Sequence, residues 1–274
     1  MKPNERRKPV IGITVHQVSQ PSPGGRPTDF LRVAAQYALA IREAGGLPLL
    51  LPADPGCAAA PQETIHAVDG LLFSGGKDLP PGLFEGVSAP TLRSADPPRY
   101  DYEVQLVRAA RVAGLPMMGI CRGHQTMAEA LGGSLLLNIA AADRQSLGHY
   151  QQLPAPATSH EVAIVAGSML GQWLGPGATV NSFHRQAVDR VPPGFREAAR
   201  SSDGVLEAME CEAPFALGIQ FHPEWLFERE PAFLKIFQAL VHQAARASAR
   251  CHPDDGSSCR GSLDEPPTNL QGER

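Results

Sequence analysis

A cysteine held between two glycines, where an apolar run meets a helical pattern, is a place for covalent chemistry. Pro116-Met117-Met118-Gly119-Ile120 ends at Cys121, and Arg122-Gly123-His124-Gln125-Thr126-Met127-Ala128-Glu129-Ala130-Leu131-Gly132-Gly133 follows with helical spacing. The spacing G-x-C-x-G in a strand–turn–helix context is a nucleophile elbow, with sulfur where esterases carry a serine oxygen. The flanking glycines let backbone crowd close to the turn, so the side chain stands at the top of a sheet. The helix that starts there directs its positive end at the sulfur. That favours thiolate, the reactive form.

A nucleophile of this kind needs a base and an orienting group. Phe221-His222-Pro223-Glu224 offers both, and it ends another apolar run, Phe215-Ala216-Leu217-Gly218-Ile219-Gln220. Pro223 keeps His222 out of the helical region. In an extended segment, residues two apart face the same side. His222 and Glu224 can therefore sit together, with the carboxylate on one ring nitrogen and the other nitrogen toward Cys121. Cysteine nucleophile, histidine base and acidic orienter follow triad logic.

The elements that must carry these residues alternate between strand and helix. Pro9–Val15 reads as a first buried strand. Asp29 is placed to cap a helix with apolar residues at Phe30, Val33, Tyr37, Ile41 and Ala44, ended by Gly45-Gly46. Leu47–Leu51 and Gly70–Ser74 are the next strands. A Pro/Gly-rich loop spans Lys77–Pro98, and a helix covers Tyr100–Ala113 before the elbow strand. Alternation of this kind predicts a mainly parallel sheet covered by helices on both faces. Active sites in such sheets lie outside the carboxyl ends of the strands. Ser74-Gly75-Gly76, Cys121 and His222 all follow apolar runs, as that rule requires.

The later half reads as added antiparallel strands over His160–Val165, Ala178–Ser182, Phe195–Ser202, Val205–Cys211 and Phe215–Phe221. Ser202-Asp203-Gly204 is a hairpin turn signal. A last helix over Pro231–Arg246 puts Phe233, Phe237, Leu240, Val241 and Ala244 on one face. The organisation expected is an N-terminal tail (1–8), one domain (9–247) and a polar, disordered tail (248–274).

Composition narrows the function. The chain has 274 residues, 43% hydrophobic content and a formal net charge of −4. No basic stripe marks a nucleic-acid partner. Cys57, Cys121, Cys211, Cys251 and Cys259 are an odd set without paired spacing, as in a reducing cytoplasm. No apolar run reaches the ~20 residues of a membrane helix, and the start Met1-Lys2-Pro3-Asn4-Glu5-Arg6 carries no signal segment. Ser74-Gly75-Gly76-Lys77 is not a phosphate loop, because Leu71 stands where its first glycine belongs and Asp78 where its Ser or Thr belongs. His149, His160 and His184 lack metal-ligand spacing, and Cys251, His252 and Cys259 are too few for a zinc site.

Four stretches together resemble one family. They are Ser74-Gly75-Gly76-Lys77-Asp78-Leu79-Pro80, the cysteine elbow with Gln125 and Gly132-Gly133, Asn181-Ser182-Phe183-His184-Arg185-Gln186, and Phe221-His222-Pro223-Glu224. Across residues 9–245 the chain resembles the class I glutamine amidotransferase superfamily, and within it the γ-glutamyl-γ-aminobutyrate hydrolase group of peptidase C26 type. Two pairs depart from the group's pattern: Ala128-Glu129 replaces its Asn-Val, and Arg99-Tyr100 replaces its Arg-Asp.

The resemblance implies a flavodoxin-like α/β fold and a hydrolase of γ-glutamyl amides. It implies Cys121, His222 and Glu224 as catalytic residues, and the Gly76 and Arg122 backbone N–H groups as an oxyanion hole. It also implies Gln125, Ser182 and Phe183 as glutamyl contacts. Neither metal nor organic cofactor is expected. The expected partner is a small γ-glutamyl amide, with no nucleic acid and no membrane; a homodimer is open. Two rivals stand beside this: a glutaminase subunit passing ammonia to a separate synthetase, and a non-catalytic binding or regulatory relative.

Overall fold

The computed structural model describes residues 7–53, 60–79, 91–142 and 146–251. Five parallel strands form the half of the sheet that carries the site. They are β1 (Val10–Thr14), β4 (Leu47–Leu51), β5 (Gly70–Phe73), β6 (Met117–Ile120) and β13 (Ala216–Ile219), in spatial order β4-β1-β5-β6-β13. Ile11, Ile13, Leu71, Leu72, Met117, Met118, Leu217 and Ile219 have no exposed surface. Such continuous apolar strands are what a sheet covered on both faces demands.

The same sheet continues antiparallel through β12 (Leu206–Cys211), β11 (Arg196–Ser201), β8 (His160–Ile164) and β9 (Gly177–Val180). Two short strands, β10 (Ala187–Arg190) and β7 (Ser134–Leu136), branch from β12 and complete eleven strands. The turn at Ser202-Asp203-Gly204 joins β11 to β12 as its sequence predicts.

Helices cover both faces. Tyr37, Ala40 and Ile41 of α1 (Ala35–Glu43) pack on one face with Ile236, Phe237 and Leu240 of α7 (Leu234–Cys251). The other face takes α2 (Ala60–Ala67), α3 (Pro97–Ala113) and α4 (Arg122–Ala130), through Ile65, Leu106, Val107 and Met127. Two short helices, α5 (Ile139–Ala142) and α6 (Met169–Leu174), complete the set. No helix among the described residues is long and apolar enough to cross a membrane.

Several expectations need correction. Asp29 caps no helix: it lies in β3 (Thr28–Arg32), which pairs antiparallel with β2 (His16–Gln20). Val18 faces Phe30 there, and the Asp29 carboxylate accepts from the Ser19 hydroxyl. The ladder takes the backbone groups of residues 28–32, so the helix begins only at Ala35. α3 begins three residues early, at Pro97, because proline suits the first helical turn. Arg7, read as part of a free tail, donates to both oxygens of Asp69 at 2.9 Å. The last helix runs to Cys251, so residues 248–251 are not tail. The remaining tail, Cys57 and much of the Lys77–Pro98 loop lie outside the described residues.

Candidate active site

Cys121 stands directly after β6, as the residue before α4, with φ 52° and ψ −106°. A non-glycine side chain at such a φ is strained by roughly 1–3 kcal/mol and persists only where packing enforces it. The flanking glycines supply that packing. A Cβ on Gly123 would lie 2.0 Å from the Phe73 carbonyl oxygen, and one on Gly119 would lie 2.6 Å from the Gly123 backbone. Strands β5 and β6 and the start of α4 nest only because both are glycine.

β13 ends beside β6 and delivers His222. Its Nδ1 lies 2.6 Å from Glu224 Oε1, and its imidazole interacts electrostatically with Cys121. Glu224 is buried. Burial pushes the Cys121 thiol up, and His222 pulls it only partly back. Burial also opposes charge on His222, yet Glu224 and Cys121 outweigh it and hold the imidazole well above its ordinary value. Burial thus opposes the thiolate that the helix start favours, and His222 favours it.

Three residues outside the expected site set hold this arrangement. Asn181 clamps the His222 backbone, accepting from its N–H at 2.8 Å and donating to its carbonyl at 3.1 Å. Tyr37 on α1 accepts from the Gly75 N–H at 2.9 Å, and its hydroxyl lies 3.5 Å from His222 Nδ1. Arg99 on α3, fully buried, donates to the carbonyls of Ser74 at 2.6 Å and Gly75 at 2.9 Å, with Glu103 at 2.8 Å as its counter-ion. The Ser74-Gly75-Gly76 turn is thus fixed from two sides. A Cβ on Gly76 would meet Arg99 at 2.8 Å and the Arg122 side chain at 3.3 Å, so Gly76 lies against the first residue of α4. The Arg122 N–H there has no intrahelical partner.

The model of the peptidase C26 family matches residues 9–224. The chain belongs to the peptidase C26 family. Among curated relatives of this peptidase C26 chain, the γ-glutamyl-γ-aminobutyrate hydrolase PuuD of Escherichia coli is 34% identical, over 81% of this chain and 88% of its own. A putative glutamine amidotransferase of Mycobacterium tuberculosis, Rv2859c, is 32% identical over 89% of this chain and 77% of its own. A glutamine amidotransferase from Thermotoga maritima shares the fold, with TM-score 0.52, 14% identity and coverage of 89% of this chain and 98% of that one. The fold is that of the class I glutamine amidotransferases.

The remaining expected contacts divide. Phe183 lines the cleft, its carbonyl oxygen 4.0 Å from Cys121 Sγ and its ring edge-on to His222. Ser182 does not offer free backbone groups. Its N–H donates to Gln151 Oε1 at 2.8 Å and its carbonyl accepts from the Gln151 N–H at 2.9 Å. Gln125 is fully buried, and its amide donates to the Gln186 carbonyl at 2.8 Å and Gln220 Oε1 at 3.1 Å. It braces the floor beneath the elbow and is not part of the cleft wall. Besides Phe183, a cleft of ≈ 570 Å³ is lined by Gly76, Lys77, Asp78, Tyr150, Arg185 and Trp225. The Asp78 side chain has no hydrogen-bond partner on either oxygen, and burial pushes its pKa up. Arg185 lies 3.6 Å from it and stacks over the Tyr150 ring at 3.7 Å. Asp78 and Arg185 stand inside two of the four stretches that carry the family resemblance.

Proposed function

We propose that this peptidase C26 chain hydrolyses γ-glutamyl amides, such as γ-glutamyl-γ-aminobutyrate or γ-glutamyl-polyamines. The observation that carries the reading is His222, hydrogen-bonded to buried Glu224 and electrostatically coupled to Cys121, in the lining of the cleft. Cys121 Sγ attacks the γ-carbonyl carbon while His222 takes the thiol proton. The Gly76 and Arg122 N–H groups receive the oxyanion. His222 passes its proton to the leaving amine as the C–N bond breaks, and a γ-glutamyl thioester remains. Water, deprotonated by His222, adds to the thioester carbonyl; the C–S bond then breaks and glutamate leaves. Each lost oxyanion donor costs on the order of 10²–10³ in rate.

Asp78 and Arg185 supply what the amino-acid end of the substrate needs. The Asp78 carboxylate, which has no hydrogen bond and only the 3.6 Å ion pair to Arg185, suits the α-ammonium group, and the guanidinium suits the α-carboxylate. Every γ-glutamyl amide carries both groups. The similarity to the E. coli hydrolase supports the amide class.

The ammonia-donor reading draws support from the similarity to the M. tuberculosis protein and from Ala128-Glu129. A panel of γ-glutamyl amides with glutamine included, assayed for glutamate release by the isolated chain, separates the two. Release from several γ-glutamyl amines, with glutamine poorer, is expected. A preference for glutamine of about 100-fold over every amine would overturn the hydrolase reading.

A further inference from the structure

Three histidines scattered in sequence converge on one carboxylate. Glu207 on β12 is fully buried. Its Oε1 lies 3.2 Å from His149 Nδ1, 3.2 Å from His160 Nε2 and 3.6 Å from His184 Nε2. The ligand atoms of His149, His160 and Glu207 lie within 4.8 Å of one another.

The other nitrogen of each ring is already engaged. His184 Nδ1 lies 2.9 Å from the Gln186 carbonyl oxygen, His149 Nε2 lies 3.0 Å from Asp203 Oδ2, and His160 Nδ1 lies 3.2 Å from Ser159 Oγ. A carbonyl only accepts, so His184 carries its proton on Nδ1. Asp203, held down at about 2 despite burial by its hydrogen bonds to Ser201, Leu147 and His149, draws the His149 proton to Nε2. His184 Nε2 and, with its proton on Nε2, His149 Nδ1 then aim lone pairs at Glu207 Oε1, which is itself an acceptor, while the Ser159 hydroxyl accommodates either tautomer of His160. Glu207 Oε2 and His184 Nε2 have no hydrogen-bond partner. Buried acceptors facing one another need a cation between them.

We propose that His149, His160, His184 and Glu207 form a site for one divalent first-row metal ion, with zinc the preferred occupant. Three imidazoles and one carboxylate suit zinc, whereas magnesium and calcium demand oxygen ligands. With zinc–ligand bonds of about 2.0–2.2 Å, tetrahedral ligand atoms sit roughly 3.4 Å apart. The three contacts to Glu207 Oε1 bracket that value. Asp203 and the Gln186 carbonyl act as the outer shell that fixes the tautomers of ligating histidines. The ion would tie β8 and β12 to the segments carrying His149 and His184. The His149 carbonyl accepts from Ser182 Oγ and the His184 N–H, both at 2.8 Å, so the site lies beneath the segment that presents Phe183 to the cleft.

The competing occupant is a proton on His149, whose pKa stands above the ordinary value. Burial lowers it, but Glu207 and Asp203 outweigh burial. His124, which faces the cluster from α4, is driven by burial to about 3 and brings no charge.

The test uses the full chain, with thiols alkylated so that sulfur cannot bind metal. It is stripped with a chelator, desalted and titrated with zinc chloride against a chromophoric competitor. One zinc ion per chain is expected, with a rise in Tm. Asp203→Asn, which alters only the outer shell, should weaken zinc binding by roughly 10–100-fold. Cobalt(II) should give visible ligand-field bands that are lost in His160→Ala. No zinc uptake by the stripped chain, or equal uptake in His160→Ala, would mean that protons alone fill the cluster and would overturn the proposal.

Discussion

Tyr100 Oη donates to Glu129 Oε2 at 2.8 Å. Tyr100 lies on α3 and Glu129 on α4, and these are the two places where the chain departs from the hydrolase group's usual pattern. The two departures therefore meet at one helix–helix contact, and neither residue lines the cleft. The hydrogen bond and the charge on Glu129 add to burial in raising the Tyr100 phenol.

Tyr100→Phe should cost about 1 kcal/mol of stability, the usual net worth of such a hydrogen bond. Substrate preference should not change. If the relative rates on glutamine and γ-glutamyl amines shift in Tyr100→Phe, the pair reaches the active site after all.

Cys121→Ala should abolish turnover, and a thiol alkylator should inactivate the native chain at Cys121. The strained φ adds a sharper expectation. Glycine adopts that backbone without a Cβ clash, so Cys121→Gly should be more stable than Cys121→Ala by about 1 kcal/mol, despite the entropy glycine costs. Chemical denaturation of the two inactive variants measures it. Equal or lower stability of the glycine variant would show that packing, not the elbow backbone, sets the cost.

His222→Ala removes the base and should lose most of the chemical step, whereas Glu224→Gln removes orientation and charge and should lose less. The pH profile gives the sign. Glu224 is the main influence raising His222, so without its charge the imidazole deprotonates at lower pH. The acid limb of kcat/KM should move down in Glu224→Gln. A limb that stays in place would mean another group governs it.

How the site is held was much less legible than where it lies. Cys121, His222 and Glu224 are marked by neighbours within two or three residues, and local spacing is what a sequence displays. Tyr37, Arg99 and Asn181 act across 38, 24 and 41 positions, so only the folded sheet brings them together. Tyr37 read as one apolar position of a helix that Asp29 would start. The β2–β3 pairing was invisible because its strands are mostly polar and face no core. The histidine cluster escaped for the same reason as the clamps: its four members lie on separate strands and loops, with no two at ligand spacing.

Arg99 tests how firmly the oxyanion turn must be held. Arg99→Ala leaves Glu103 buried without its counter-ion, a change that costs roughly 3–5 kcal/mol. Arg99→Lys keeps the charge but loses the fork that reaches both carbonyls. The lysine variant should therefore fold and show a lowered kcat with KM little changed, since the turn acts on the transition state. A raised KM with unchanged kcat would place Arg99 in ground-state binding instead.

The cleft offers the last discrimination. Asp78 and Arg185 are assigned here to the glutamyl end, which all substrates of the proposed class share. Arg185→Gln should then raise KM by a similar factor for γ-glutamyl-γ-aminobutyrate, for a γ-glutamyl-polyamine and for glutamine. If Arg185 instead reads the leaving group, the loss should fall on the γ-aminobutyrate amide alone, because only that amine carries a carboxylate. Asp78→Asn sharpens the choice. An α-ammonium partner predicts a loss on all three substrates, whereas a partner for a cationic amine predicts a loss confined to the polyamine amide. Uniform KM effects in both variants would fix the glutamyl group against this pair and leave the amine to the opposite wall of the cleft.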